Sequence, residues 1–286
     1  MLLWYLLIIV GFVALVFASF VDVKIREVPN WLSYSLIFIG LGLRLIYSLI
    51  FSDFSYVIYG LIGFIAFFAL ANLMYYTKQW GGGDSKLLMG LGAMFGSFRE
   101  ASILGFGYDF PFLVSLLINI FIAGTVYGFI YSIFLALRHK KNFVKEFRLR
   151  KFNELKIISL LIILLLVAAL LFLDGQFLSL VLIFLLIVWV ACFILYFMKL
   201  VEDVSLYKKI NVDKLVEGDW LAKDVFVKNR LICTARNIGV TKGDIALLKK
   251  YKIKNVVVKE GIPFVPSFLI GFLFTILFTD IISLLV

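Results

Sequence analysis

The chain has little of what most catalytic or metal sites are built from. Among its 286 residues there are two cysteines, Cys192 in an apolar run and Cys233 in a polar segment. Neither has another cysteine near it, so the pattern indicates neither a disulfide framework nor a zinc site. The one histidine, His139, sits in a strongly basic stretch, which gives poor support to a Ser–His or Cys–His nucleophile. Polar residues are scarce too. With 63% hydrophobic residues and 31 phenylalanines, the chain lacks the polar surface that a soluble domain of this length needs.

What is present is a series of apolar runs, long enough to cross a hydrocarbon core of roughly 30 Å. They fall at about 2–21, 31–51, 55–76, 84–98, 111–137, 157–173, 177–198 and 263–285. The fourth is short and rich in Gly and Met. Open sheets cannot satisfy their edges in lipid, so the expected fold is an all-α polytopic membrane protein of about eight transmembrane helices. The first run, "MLLWYLLIIVGFVALVFASF", has no basic n-region and is followed by further spans, so it reads as a retained helix.

The 28 Lys and Arg residues set the orientation. With the N-terminus outside, Lys24, Arg26, Lys78, Lys86, the run "RHKKNFVKEFRLRKFNELK" and the polar segment 199–260 all share one face. Arg44 and Arg99 remain toward the other. This bias makes the basic face cytoplasmic, and a net charge of +10 then requires no nucleic-acid partner. The basic run reads as a topogenic loop, with a lipid-headgroup patch as the alternative.

These readings divide the chain into a membrane core at 1–137, a basic cytoplasmic loop at 138–156, a helical hairpin at 157–198, a small α/β cytoplasmic insert at 199–262 and a last transmembrane helix at 263–286. In the insert, "DWLAKDVFVKNRLIC" alternates like strands. "TKGDIALLKKYKI" predicts a helix capped by Thr241, with an apolar stripe at Ile245, Leu247, Leu248 and Tyr251. "NVVVKE" predicts a short buried strand.

Acids at the edges of spans are the informative residues, because each is unfavourable unless it faces a wet cavity or a partner. Asp53, Glu100, Asp109 and Asp174 fall in expected external loops, Asp280 at the outer interface, and most others in cytoplasmic segments. Asp22, which ends the first span, and Asp84, which opens the fourth, are level at the cytoplasmic boundary. Facing one another, two such carboxylates would share one proton. The pair could then activate water and protonate a leaving amine, which is aspartic proteolysis with no metal and no cofactor.

Asp84 follows three glycines in "QWGGGDSKLLMGLGAMFG". Gly81, Gly82 and Gly83 would let backbones approach closely and permit positive φ, and the helix N-terminus would support the carboxylate. The plainer alternative makes the glycines a turn and Asp84 a helix cap.

At these residues the sequence resembles the prepilin and preflagellin peptidases, membrane aspartic peptidases with a GxGD signature. Here the signature reads Gly81-Gly82-Gly83-Asp84, followed by Ser85-Lys86-Leu87-Leu88. Asp22 ahead of Pro29-Asn30-Trp31-Leu32 fits the family's first aspartate and its entry into the second helix. The resemblance implies Asp22 and Asp84 as catalytic, Gly81–Gly83 as an active-site loop, and Lys86, Pro29 and Asn30 as supporting positions. It also implies a substrate, the short basic class III signal peptide of a pilin-like or archaellin-like precursor, cut at the cytoplasmic face of the cell membrane. Membrane lipids are the other expected partner. Bacterial members often add a cysteine-rich methyltransferase domain, which this sequence lacks. Pro263 and Pro266 bracket the entry to the last span, either as a helix start or as a site-facing segment like that of presenilin-type proteases.

Two other functions stay open. An ion-coupled transporter would place charges deep in the spans and repeat one half in the other, and the sequence shows neither. A presenilin-type GxGD protease cutting within transmembrane helices usually has Tyr before its first aspartate, where this chain has Val21.

Overall fold

The computed structural model of the chain describes residues 2–77, 79–96, 103–104, 110–150, 153–172, 175–227, 230–235, 239–279 and 281. Lys78, Arg99, Glu100, Asp109, Asp174 and Asp280, used above to assign topology and sort the acids, lie outside the described residues. Residues 1–128 with 210–286 form one compact unit, and 129–209 form another.

The first unit opens with α1 (Leu2–Ile25), α2 (Asn30–Phe51), α3 (Ser55–Tyr76), α4 (Gly82–Phe95) and the start of α5 (Phe112–Arg138). The inward face of α1 carries Trp4, Leu7, Ile8, Gly11, Ala14, Leu15, Ala18, Ser19 and Asp22, a spacing of three and four that puts Asp22 in line with the core. Four of these nine, Gly11, Ala14, Ala18 and Ser19, are small, as expected where packing rather than water drives helices together. In α2 the buried positions Leu32, Ser33, Leu36, Gly40, Arg44 and Ser48 run in steps of about one turn.

Helix α4 is the centre of this unit. It packs between α2 and α3 and buries Leu87, Leu88, Leu91, Met94 and Phe95 completely. Close approach needs glycine on both sides of the seam: a Cβ on Gly92 would stand 2.5 Å from the Gly63 carbonyl oxygen. The last helix, α10 (Val265–Phe278), packs on α1. Phe95 lies 5.2 Å, centroid to centroid, from both Phe112 and Phe272, and Trp4 meets Phe112 edge-on at 5.0 Å.

Between α5 and α10 the same unit contains the small α/β insert, from Ile210 onward. Its strands are β1 (Tyr207–Asn211), β2 (Trp220–Leu221), β3 (Val225–Val227), β4 (Arg230–Cys233) and β5 (Asn255–Lys259). One sheet runs β1-β5-β2 and the other is the hairpin β3-β4. Strand β5 pairs antiparallel with β2, Trp220 opposite Lys259. Helix α9 (Lys242–Lys250) has the expected cap. The Asp244 N–H donates to the Thr241 hydroxyl at 3.2 Å, and the Asp244 carboxylate accepts from the Thr241 N–H at 2.9 Å. Leu248 is buried and Ile245 half-buried, whereas Leu247 and Tyr251 face outward, so the apolar stripe is narrower than the sequence suggests. Cys233, in a segment that reads as polar, is buried with Val212, Leu221, Val240, Val256 and Val258.

The second unit holds the end of α5, then α6 (Lys140–Leu149), α7 (Asn153–Phe172) and α8 (Gly175–Ser205). Two boundaries differ from expectation. The basic stretch at 138–156 is mostly helix, because it contains no Gly or Pro to interrupt one. Helix α8 continues to Ser205, where the α/β insert was expected to begin at 199.

Among the described residues five helices, α1, α2, α3, α5 and α8, are long and apolar enough to cross a membrane. Shorter apolar stretches run over Leu155–Leu171 and Val265–Phe278. At 14 residues α4 is about 21 Å long, less than a hydrocarbon core is thick.

Candidate active site

Asp22 occupies the last full turn of α1 and is 5% exposed. Its Oδ2 accepts a 3.0 Å hydrogen bond from the backbone N–H of Val265, the first residue of α10. That N–H is one of the four a helix leaves unsatisfied at its start. Asp22 therefore caps a helix that begins 243 positions later. Beyond Asp22 the chain turns through Arg26, whose φ of 59° ends the helix. The Arg26 guanidinium donates to the Gly261 carbonyl at 2.7 Å and pairs with Glu260 at 3.1 Å. One loop is thereby fastened to the segment that leads from the insert into α10.

Asp84 is the third residue of α4 and is half-buried. Its Oδ2 accepts from the Gly81 N–H at 3.1 Å, closing the first turn from within. Only this half of a capping box exists, since Gly81 has no side chain to return the bond. The plainer alternative is corrected in its placement: Gly81 is the N-cap, Gly82 and Gly83 are already helical, and Asp84 caps the turn from its third position, which leaves its other carboxylate oxygen free of that duty.

The glycines act through space and not through φ. Gly81 is extended, with φ −70° and ψ 163°, and Gly82 and Gly83 have negative φ as well. The expectation of a positive φ is corrected: the segment enters a right-handed helix directly. What it requires is room. A Cβ on Gly83 would lie 3.0 Å from the Val28 Cβ, tighter than ordinary side-chain contact, and one on Gly81 would lie 3.3 Å from Asp84 Oδ2. Gly83 thereby brings the Asp84 loop against the loop that follows Asp22.

Pro29 precedes α2 with φ −58° and accepts from the Leu32 N–H at 3.1 Å. Asn30 Oδ1 accepts from Lys86 Nζ at 2.7 Å, and the same ammonium stands 5.8 Å from the Tyr34 ring centroid. Lys86 therefore joins α4 to the start of α2. The two carboxylates lie near enough for the charge of Asp22 to act on Asp84. Among the described residues no three of His, Cys, Asp and Glu cluster as metal ligands would.

Three residues that shape this site were not singled out from sequence. Trp80, beside the glycines, is buried against Phe121 at 5.6 Å, Phe264 at 5.7 Å and Phe268 at 5.2 Å, so it ties the loop to α5 and α10. Val265 supplies the donor to Asp22. Arg44 read as a leftover charge toward the opposite face; it is buried at 2% exposure and donates to Met94 O at 2.7 Å, Gly96 O at 2.9 Å and Tyr56 O at 2.9 Å. It satisfies the carbonyls at the end of α4. A lone cation inside an apolar run was a usable signal for it; Val265 acts through its backbone, and its one mark in the sequence was its place between Pro263 and Pro266.

Residues 9–135 match the type IV leader peptidase family. The segment carries Asp22, Arg44, the glycines and Asp84, and α10 lies outside it. The chain is similar to a preflagellin peptidase of Methanocaldococcus jannaschii, 36% identical over 117 residues, which cover 39% of this chain and 50% of the relative. A preflagellin peptidase of Methanococcus voltae is 30% identical over 145 residues, 50% of this chain and 62% of the relative. A prepilin peptidase, EppA, of Methanothermobacter thermautotrophicus is 28% identical over 193 residues, 63% and 50%. The chain thus spans 50 to 62% of the length of these relatives. No solved structure matches it.

Proposed function

We propose that the chain is a membrane aspartic endopeptidase that removes the short basic signal peptide from pilin-like or archaellin-like precursors. Asp22 and Asp84 are its catalytic pair. The observation that carries this reading is their pairing: two acids about 60 residues apart in sequence, at the ends of different helices whose adjoining loops meet at Gly83 and Val28, with Asp84 within reach of the charge of Asp22. Both fall inside the segment that matches the leader peptidase family, and the relatives named above are peptidases.

In the mechanism one carboxylate, ionised, takes a proton from water as it attacks the scissile carbonyl. The other, protonated, gives its proton to the departing amine. The Val265 N–H holds Asp22, and the Gly81 N–H holds Asp84, so each acid presents its remaining oxygen in a fixed direction. Lys86 and Asn30 fix the start of α2 against α4.

The chain crosses the membrane about eight times, α4, α7 and α10 adding to the five long helices, with its N-terminus outside. The reading is supported by Lys24, Arg26 and Lys86 close to the two acids, which makes theirs the cytoplasmic face. Because α4 is enclosed by α2 and α3, the apolar helix of the precursor lies along the exposed side chains of α1 and α2. Phe17 and Trp31 pair there at 5.7 Å. The deciding experiment incubates the reconstituted chain with pilin-like and archaellin-like precursors and compares it with Asp22→Asn and Asp84→Asn. Near-normal cleavage by either variant would refute the pair.

A further inference from the structure

Helix α6 has no part in the site above, and its surface is unusual for a connection between membrane helices. Lys140, Lys141, Lys145 and Arg148 are exposed, and so are Val144, Phe147 and Leu149, the last at 66%. At 100° per residue Phe143, Val144 and Phe147 share one side, with Lys140 of the first turn among them; Lys141, Lys145 and Arg148 share the arc beside it, and Leu149 falls beyond that arc, away from the apolar side. Phe143 is the inward member, with its ring 5.8 Å from Phe197 of α8. Val144 and Phe147 therefore lie open next to the cations.

Among the described residues, the acids Glu146, Glu202 and Asp203 at this end of the unit are already engaged. Arg150 bonds Asp203 and approaches Glu146 at 4.0 Å, and Lys199 pairs with Glu202 at 3.1 Å. Lys140, Lys141, Lys145 and Arg148 have no carboxylate partner among the described residues. The Arg150–Asp203 bond instead fixes α6 by its end against α8.

Connectivity sets the depth of the helix. One residue, His139, separates α6 from α5, which is long and apolar enough to cross the membrane, and α7 begins at Asn153. At about 15 Å long, α6 has no room to leave the plane where those helices end. A short helix with open apolar residues beside unpaired cations, held in that plane, complements one environment: the boundary between acyl chains and anionic headgroups.

We propose that α6 is an interfacial helix that binds anionic phospholipid headgroups through Lys141, Lys145 and Arg148, with Val144 and Phe147 seated among the upper acyl carbons. The assignment is independent of the peptidase reading.

The test uses the full chain with Cys192→Ala and a fluorophore on Val144→Cys, reconstituted in phosphatidylcholine vesicles with or without phosphatidylglycerol. Phosphatidylglycerol is expected to shift the emission to the blue and shield the label from acrylamide, and added salt to reverse part of the shift. Native mass spectrometry of the unlabelled chain is expected to show phosphatidylglycerol retained over phosphatidylcholine. That preference should fall by at least about tenfold in Lys141→Gln/Lys145→Gln/Arg148→Gln. A label equally open to acrylamide in both lipid mixtures would overturn the proposal, as would an undiminished preference in the triple variant. The first of these would leave the cations to an acidic protein partner. Should the triple variant fail to fold, the comparison of lipid mixtures with the parent chain decides alone.

Discussion

The backbone N–H of Val265 donates a hydrogen bond of 3.0 Å to the carboxylate of Asp22. It makes the start of the last helix an orienting group for an acid at the end of the first. Because Asp22 and the helix start satisfy each other, neither needs water at that oxygen. The segment entering α10 is therefore part of the site's geometry, although it lies outside residues 9–135.

Asp22→Asn and Asp84→Asn each keep the size and most hydrogen-bonding capacity of the acid while removing its ability to move a proton. Each is expected to lower kcat/KM on a precursor by about a thousandfold or more, with the melting temperature in detergent little changed. A cleavage time course alongside thermal unfolding separates the two effects.

Arg26 and Glu260 join the loop after Asp22 to the exit from the insert, and both are partly exposed. The pair is expected to contribute under about 1 kcal/mol to stability. Glu260→Gln should nonetheless lower kcat more than it raises KM, by loosening the segment that holds Val265 against Asp22. A rise in KM alone would count against this positioning role.

Gly83→Ala is expected to lower cleavage severalfold with the fold retained, because the new Cβ would press on Val28 at 3.0 Å and part the two acid-bearing loops. Gly82→Ala is the control. Its Cβ would meet Tyr75 at 3.6 Å, ordinary contact, and alanine favours a first helical turn. Equal losses in the two variants would contradict the spatial account of the glycines.

Arg44→Met leaves the carbonyls of Met94, Gly96 and Tyr56 without their donor in a dry interior. Destabilisation by about 3 kcal/mol is expected, together with reduced cleavage, since α4 carries Asp84. Arg44→Lys keeps the charge but not the fork that reaches three carbonyls, so it should recover only part of the loss. Thermal unfolding of the three proteins in one detergent checks the order.

Asp219, in the insert, has its carboxyl raised above the usual range, chiefly by burial, against a lowering bond from the Val216 N–H and with Glu260 adding to the rise. A raised acid favours the folded state when protonated, so its contribution is greatest below the unfolded pKa of 3.8 and is lost as pH climbs through the folded value. Asp219→Asn keeps an acceptor for Val216. The variant should be at least as stable as the parent at neutral pH and show a flatter stability profile in mild acid. A loss of stability at neutral pH would show that the charge itself is needed.

The apolar runs are long because a bilayer is thick, so membrane class and helix positions were legible directly. Asp22, Asp84 and the glycines stood out for a related reason: charge and missing side chains are rare in such runs. The Thr241–Asp244 cap of α9 was legible because it is local, three residues of one chain segment. What the sequence left undetermined was which side of each helix faces inward. A lipid-facing Phe20 and a core-facing Leu15 are equally apolar, and without polar contrast the periodicity that marks a buried face disappears. Tertiary structure alone made Arg44 the cap of α4, made Gly83 a matter of space and not of backbone angle, and brought Val265 to Asp22. Each of these is a contact between segments far apart in the chain, decided by packing that no single stretch encodes.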